Sequence, residues 1–312
     1  MIVVFGSINL DIVFPLARLP TPGATVLGDG YRLVPGGKGA NQALAAARDG
    51  AVVRMVGAVG TDGFAPLALA ALQDAGIDLS GVEVVAAPTG CAAVCVAASG
   101  ENQIAVASGA NRLVAAAQVP DALLTPATVL VLQMEVPPAE IAAVMARAKA
   151  RGARTIWNFA PALAEGIGRD RLAAADMLVA NEGEAAALAA GLGLAAGAPL
   201  ELAPALAGAL GNTVVVTLGG AGSVLADRDG RWRAGALPVT PVDTTAAGDA
   251  FVGVLAAAID RGQGPVAAVH RASVAAGLAC LTPGAQTSLP TAAEIDRNLA
   301  RLPQPVALPA LI

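Results

Sequence analysis

Short, mostly apolar runs that alternate with helical stretches constrain this chain more than any other feature. Residues 2–5, 52–59, 129–132, 155–157, 177–180 and 213–218 are such runs. A strand that is apolar on both faces belongs in a sheet covered on both faces. Helical patterns follow at residues 64–76 and 138–151 and close on Gly76 and Gly152. Glycine is favoured there because it adopts the left-handed C-terminal conformation without a Cβ penalty. The alternation predicts an α/β fold: a doubly wound, mostly parallel central sheet with helices on both faces. At 312 residues the chain can be one large α/β domain or two ordinary ones. Hydrophobic residues at 55% guarantee a sizeable core, and aromatics at 3% mean that Ala, Val and Leu build it.

Two stretches interrupt the alternation. Residues 12–33 are broken by Pro15, Pro20 and Pro22 and read as short strands. Residues 91–97 and 103–108 flank Ser99-Gly100-Glu101-Asn102, a hairpin with a glycine turn and no helix after it. They predict a separate small β-sheet lying over the site as a lid. The expected division is 1–11, 36–88 and 111–312 for an α/β body, and 12–35 and 89–110 for the lid. Exposed apolar lid strands could pair with a second copy, so a homodimer through the lid is expected.

Charge and cysteine usage narrow the partners. A net charge of −5 argues against nucleic acid, which wants a basic face. The most membrane-like stretch, residues 185–210, is rich in Ala and Gly and is interrupted by Pro199, Glu201 and Pro204. It reads as helix, loop and helix rather than as a membrane span. The N-terminus lacks the basic region of a signal peptide. Cys91, Cys95 and Cys280 have no metal spacing and read as buried or free thiols in a reducing compartment, so a cytoplasmic location is expected.

Two glycine-rich blocks carry the chemistry. Asp243-Thr244-Thr245-Ala246-Ala247-Gly248-Asp249 joins an extended apolar segment, residues 236–242, to an apolar helical run at 251–259. A helix that opens with Ala-Ala-Gly offers unpaired N–H groups and a partial positive charge, a cradle suited to phosphate. Asp249 sits one turn inside, where the helix terminus should hold its carboxylate ionised and ready to accept a proton. The plain alternative is a capping Thr and a first-turn acid. The other block, Gly36-Gly37-Lys38-Gly39-Ala40-Asn41-Gln42, leads into an expected helix at 43–48 ended by Gly50. Lys38 opposes the helix dipole, so a negative or strongly polar group should compensate it. Asn41 lies on the same face. The block either holds a ligand or is a solvated lysine in a glycine loop.

Other residues are less decisive. Asn9 and Asp11 follow the first strand, two apart, and could hold sugar hydroxyls or form an Asx turn. Glu135 ends a strand, as a site residue or a surface acid. Glu184 could hold a metal through water, or serve as a helix N-terminal acid. Gly219-Gly220-Ala221-Gly222 is a flexible loop fit for a nucleotide, yet it is neither a dinucleotide fingerprint nor a Walker loop. His270 sits in an apolar helical run and reads as structural.

Together these blocks resemble the ribokinase family of sugar kinases, which also contains fructokinases, adenosine kinases and the minor bacterial phosphofructokinase. The resemblance covers nearly the whole chain. Asn181-Glu182-Gly183-Glu184 and Thr217-Leu218-Gly219-Gly220-Ala221-Gly222 also fit, in order. The variant Asn158-Phe159-Ala160-Pro161-Ala162 departs from the family pattern, and no role is carried onto it. The resemblance implies Asp249 as catalytic base and Ala246, Ala247 and Gly248 as anion hole. It places Asn9, Asp11, Gly37, Lys38, Asn41 and Glu135 on the sugar. It places Asn181, Thr217, Gly219 and Gly222 on ATP, with Glu184 orienting Mg2+ and phosphates. It places Asp243, Thr245, Ala279, Thr282, Gly284 and Ser288 around a monovalent cation, usually K+. The implied activity is ATP-dependent phosphorylation of D-ribose at O5. Another pentose, fructose or a nucleoside as acceptor stays open. A non-catalytic sugar-binding regulator is the alternative from a different class, and Asp249 with an intact cradle argues against it.

Overall fold

The computed structural model describes residues 1–162, 167–195 and 197–309. The chain opens with β1 (Ile2–Phe5), β2 (Asn9–Leu16), β3 (Arg32–Gly36) and α1 (Lys38–Arg48). It continues with β4 (Val53–Val59), α2 (Phe64–Asp74), β5 (Asp78–Val84) and the hairpin β6 (Gly90–Ala97) and β7 (Asn102–Ala107). Then come β8 (Val129–Leu132), α3 (Pro138–Ala150), β9 (Arg154–Asn158), the short α4 (Arg169–Leu172) and β10 (Met177–Asn181). Next are α5 (Glu182–Gly191), α6 (Pro199–Leu210), β11 (Thr213–Thr217), β12 (Ser223–Asp227) and β13 (Gly230–Ala234). The chain closes with α7 (Ala247–Asp260), α8 (Pro265–Ala279), α9 (Ala292–Asn298) and β14 (Val306–Ala307).

The large sheet runs β14-β13-β12-β11-β10-β9-β8-β1-β4-β5. From β11 to β5 every neighbour is parallel, while β12, β13 and β14 add antiparallel strands at one edge. Side chains of β1 alternate between two cores, as a pleat requires. Ile2 and Val4 pack with α1, α2, α7 and α8, whereas Val3 and Phe5 pack with α3, α5 and α6. This is the doubly wound α/β sheet expected, with helices on both faces. The second sheet has the order β3-β2-β6-β7, antiparallel at its two outer pairs and parallel between β2 and β6.

Two local expectations need correction. The helix after the glycine block starts at Lys38, not Ala43, so Lys38 is its first residue and Asn41 and Gln42 lie inside it. Residues 219–222 are not a loose loop: Gly219–Ala221 is a turn of 3-10 helix that leads into β12. Residues 236–242 are extended but join no ladder; Val242 N–H instead donates to the Cys280 carbonyl at the end of α8. Residues 185–210 divide into α5 and α6 as expected, and no described helix is long and apolar enough to cross a membrane. Cys91, Cys95 and Cys280 are free and half-buried. His270 is buried in α8 against the Leu302 carbonyl, a structural role as expected.

Candidate active site

The site is built where α1 and α7 meet the carboxyl ends of β1, β8, β9 and β10. Ala246 caps α7 with φ 59° and ψ 9°, a left-handed conformation that costs a residue with a Cβ on the order of 1–3 kcal/mol. Among the described residues it is the one non-glycine with positive φ. The turn leaves the N–H groups of Gly248 and Asp249 without a protein acceptor among the described residues, while Ala247 N–H bonds Thr244. Free N–H groups and the helix dipole make this end an anion cradle. Gly253, one turn on, lets α7 approach α1 closely. A Cβ there would lie 2.4 Å from the Gln42 carbonyl and 2.6 Å from the Ala45 Cβ.

Asp249 is buried behind the cradle. Its Oδ2 accepts from Asn41 Nδ2 at 2.9 Å, and its Oδ1 accepts from Gln42 Nε2 at 2.9 Å. Burial raises its pKa, and Lys38, Asn41 and Gln42 only partly oppose that. The expectation that the helix terminus alone keeps this carboxyl low is therefore corrected: desolvation outweighs it. A raised carboxyl is a stronger proton acceptor once ionised. Lys38 shows the reverse balance. Burial pulls its pKa down, but the carboxylates of Asp249, Glu135 and Glu184 win, and the ammonium stays charged. These three acids are the compensation that a first-turn lysine demanded.

Glu135 follows β8 and accepts from Ser7 Oγ and from the Lys38 N–H at 3.0 Å. It is half-buried in the site and not a surface acid. Gly37 caps α1 at φ 89°; a Cβ would meet Asn9 N at 2.8 Å and Ser7 O at 2.9 Å. Asn9 and Asp11 lie on β2, and so on the small sheet, facing one side. Asn9 Oδ1 accepts from Asn111 Nδ2 at 2.7 Å, and Asn111 Oδ1 takes the Ile8 N–H at 2.9 Å. Burial, reinforced by Glu135, pushes Asp11 up to about 6, and its Oδ1 is buried without a partner. Asn9 and Glu135 line a cavity of about 570 Å3 whose opposite wall includes Val106 of β7.

A second cavity, of about 450 Å3, opens at the cradle itself. Thr217, Gly219 and Gly222 line it together with Ala247, Gly248 and Ser273. Gly222, at φ 94°, passes so close to β13 that a Cβ would lie 2.1 Å from the Ala234 carbonyl. Asn181 and Glu184 stand beside this cavity and do not line it. Asn181 pairs with Thr217 across β10 and β11, and Asn181 and Glu184 cap α5 reciprocally at 2.8 Å in each direction. Burial raises the Glu184 carboxyl against the Asn181 N–H and Lys38.

Of the remaining predicted positions, Asp243, Thr245 and Gly284 meet in one loop cluster. Asp243 Oδ1 takes the Thr245 N–H at 2.9 Å and the Thr245 hydroxyl at 2.6 Å, while Oδ2 takes the Gly284 N–H at 2.8 Å. Burial acts to raise Asp243, but these donors outweigh it and hold the carboxyl low. Ala279 ends α8 beside it, Thr282 follows in the turn, and Ser288 Oγ donates to the Ala285 carbonyl at 2.8 Å.

The chain matches the family model of pfkB family carbohydrate kinases over residues 1–292. It belongs to that family. A ribokinase of Haemophilus influenzae is 35% identical over 296 residues, covering 93% of this chain and 95% of its own. A crystal structure of ribokinase from Thermotoga maritima superposes with TM-score 0.88 at 32% identity, covering 96% of this chain and 99% of that one. The structure of Arabidopsis thaliana ribokinase complexed with ribose and ATP gives TM-score 0.86 at 31% identity, with 96% and 98% covered. As a pfkB family member the chain is a carbohydrate kinase. Sequence reasoning missed Ser7, Asn111, Gln133 and Asn158, and took Gln42 only as part of a motif. Their signal was faint: Gln133 and Asn158 are single polar residues at the ends of apolar strands, and Asn111 lies in a 3-10 turn after β7.

Proposed function

We propose that this chain transfers the γ-phosphoryl group of ATP to O5 of D-ribose, releasing ribose 5-phosphate and ADP. The observation that carries the reading is Asp249, buried and oriented in the first turn of a helix where the N–H groups of Gly248 and Asp249 have no acceptor among the described residues. The ribokinases it resembles at about 35% identity supply the acceptor. Another pentose, fructose or a nucleoside is the alternative acceptor. Asn9 and Asp11 hold sugar hydroxyls from the small sheet, with Lys38, Asn41 and Glu135 around them. Asp249 takes the proton of the attacking hydroxyl as the new P–O bond forms. The N–H groups of Gly248 and Asp249 meet the charge that spreads over the equatorial oxygens, and Lys38 adds a fixed cation. The nucleotide occupies the cavity lined by Thr217, Gly219 and Gly222, near Asn181 and Glu184.

Two cations fit the donor sets. Glu184 stands where it would hold Mg2+ through water, and the ion would offset phosphate charge. Chelation should therefore abolish turnover without unfolding the chain. Asp243 gathers the 243–245 turn, the end of α8 and the 284–288 turn, where unpaired helix-terminal carbonyls are oxygen donors. One carboxylate among neutral oxygens suits K+ better than a divalent ion. The small sheet would close over the sugar as a lid and exclude water that would otherwise take the phosphoryl group. Every residue of β7 is exposed, with Ile104 at 58% and Val106 at 56%. A second copy paired there would cover them, and Ile104→Asp should then leave a monomer by sedimentation. Free thiols and use of ATP fit the cytoplasm.

Asp249→Asn tests the reading. Turnover should fall by roughly 10²–10⁴, the usual worth of a positioned acid–base group. Sugar binding should change little, because the amide still bonds a hydroxyl. Normal melting with near-normal turnover would contradict the assignment.

A further inference from the structure

Behind Asp249 lies a chain of buried amides that the reaction as described does not use. Gln42 of α1 donates from Nε2 to Asp249 Oδ1 at 2.9 Å and to Asn158 Oδ1 at 3.0 Å. Asn158, at the end of β9, donates from Nδ2 to the Val179 carbonyl at 3.2 Å. Gln133, at the end of β8, donates from Nε2 to Gln42 Oε1 at 2.7 Å. Gln42 and Gln133 are fully buried, and Asn158 nearly so.

The polarity of this chain is determined at both ends. A backbone carbonyl can only accept, so Asn158 must turn its NH2 to Val179 and its oxygen to Gln42. An ionised carboxylate can also only accept, so Gln42 must turn its NH2 to Asp249. The two demands agree on one orientation of Gln42. Gln133 then locks that orientation by donating to the oxygen on the far side. Gly6 is part of the arrangement: a Cβ there would fall 1.9 Å from Gln133 Oε1.

The network leaves acceptors unpaired to achieve this. Gln133 Oε1 and Asn41 Oδ1 are buried with no partner. A buried unsatisfied acceptor is costly, and a core amide with a purely structural role would avoid it. Here the amide protons of Asn41 and Gln42 are directed at one carboxylate instead. We infer that Gln42, oriented by Asn158 and Gln133, is a positioning residue that aims Asp249 at the acceptor hydroxyl and favours its ionised form. The inference rests on Asp249 being the base. The charged groups facing Asp249 are Lys38 from α1, Glu135 after β8 and Glu184 from α5. None of them is altered by the substitutions below.

The test compares Gln42→Met, Asn158→Leu and the double variant with the unaltered enzyme. Gln42→Met keeps the volume and removes the donor. Its kcat should fall roughly tenfold to hundredfold, the worth of a hydrogen bond to a charged group, with KM for sugar and ATP within about twofold. The acid limb of kcat against pH should move up by about one unit or more, since a buried carboxylate with one donor fewer is harder to ionise. Asn158 acts only through Gln42, so the double variant should be no slower than Gln42→Met alone. If Gln42→Met fails to fold, the isosteric Gln42→Glu carries the same test: a second carboxylate against Asp249 should push the limb up. An unmoved acid limb with normal kcat, or losses that multiply in the double variant, would overturn the inference. Asp249→Asn measured alongside separates the two ideas. An inert Asp249→Asn beside a normal Gln42→Met removes the positioning role alone, whereas an active Asp249→Asn removes the base itself.

Discussion

The half of the site that holds Asp249 and the half that holds Asp11 are built on opposite principles. Asp249 stands on the large sheet's own helices, with donors on both oxygens and α1 pressed against α7 through Gly253. Asp11 stands on a four-stranded sheet whose outer strand β7 is exposed along its whole length. Its Oδ1 is buried with no partner, and burial together with Glu135 makes its charge unfavourable. Both carboxyls are raised by desolvation, but only one is satisfied by the protein itself. The Asp249 half is complete within the protein, whereas the Asp11 half leaves a buried acceptor that, on the proposed reading, a sugar hydroxyl would pair. Preorganised charge where the reaction occurs and an unfinished surface where the acceptor is chosen are what a kinase with a closing lid requires.

This contrast can be broken at Asp11. Asp11→Ala should raise KM for the sugar about tenfold to hundredfold, the value of a charge-assisted hydrogen bond, and leave KM for ATP within about twofold. An unchanged sugar KM would remove Asp11 from the acceptor half. A smaller effect sharpens the contrast without any substrate. The Asp11 carboxyl is raised to about 6 when folded, so its contribution to stability is present below about pH 4 and lost as pH rises through about 6. The loss should be at most about 3 kcal/mol, from two units at 1.36 kcal/mol each. Asp11→Asn should flatten that part of the stability curve and melt higher than the unaltered chain at pH 8. The same slope in both proteins would mean that Asp11 is not strained. The smallest effect concerns the cradle's support. Replacing Na+ by K+ at constant ionic strength should raise kcat a fewfold, because Asp243 and Thr245 lie in the turn that leads into α7. A rate indifferent to the cation would remove the cation site and leave the kinase reading intact.

Much of the fold was legible because its information is local. Residues 2–5 and 129–132 are apolar at every position, and only a strand covered on both faces uses such a run. The start of α1 was not legible, since Gly37-Lys38-Gly39 reads as a loop by propensity. The helix begins there because only a residue without a Cβ fits at 39, where one would lie 2.6 Å from Ser7 N. The antiparallel edge was not read: Arg231-Trp232-Arg233-Ala234 on β13 alternates over only four residues, and its pairing is set by β12. Within the site, the cradle and its acid were visible as one contiguous block. The amides behind Asp249 were not, because Gln42 meets Gln133 and Asn158 across 91 and 116 residues. No local pattern encodes a contact at that separation.

The central claim is tested most directly by supplying the purified chain with ATP, Mg2+ and K+ and a panel of ribose, deoxyribose, fructose and nucleosides. ADP release would be followed by a coupled assay, and the product's phosphorylated carbon identified by NMR. D-ribose should give the highest kcat/KM, with one ADP formed per ribose 5-phosphate and little ATP hydrolysis in its absence. Phosphorylation of a nucleoside or fructose in preference to ribose would contradict the acceptor, and no phosphorylation of any alcohol would contradict the account as a whole.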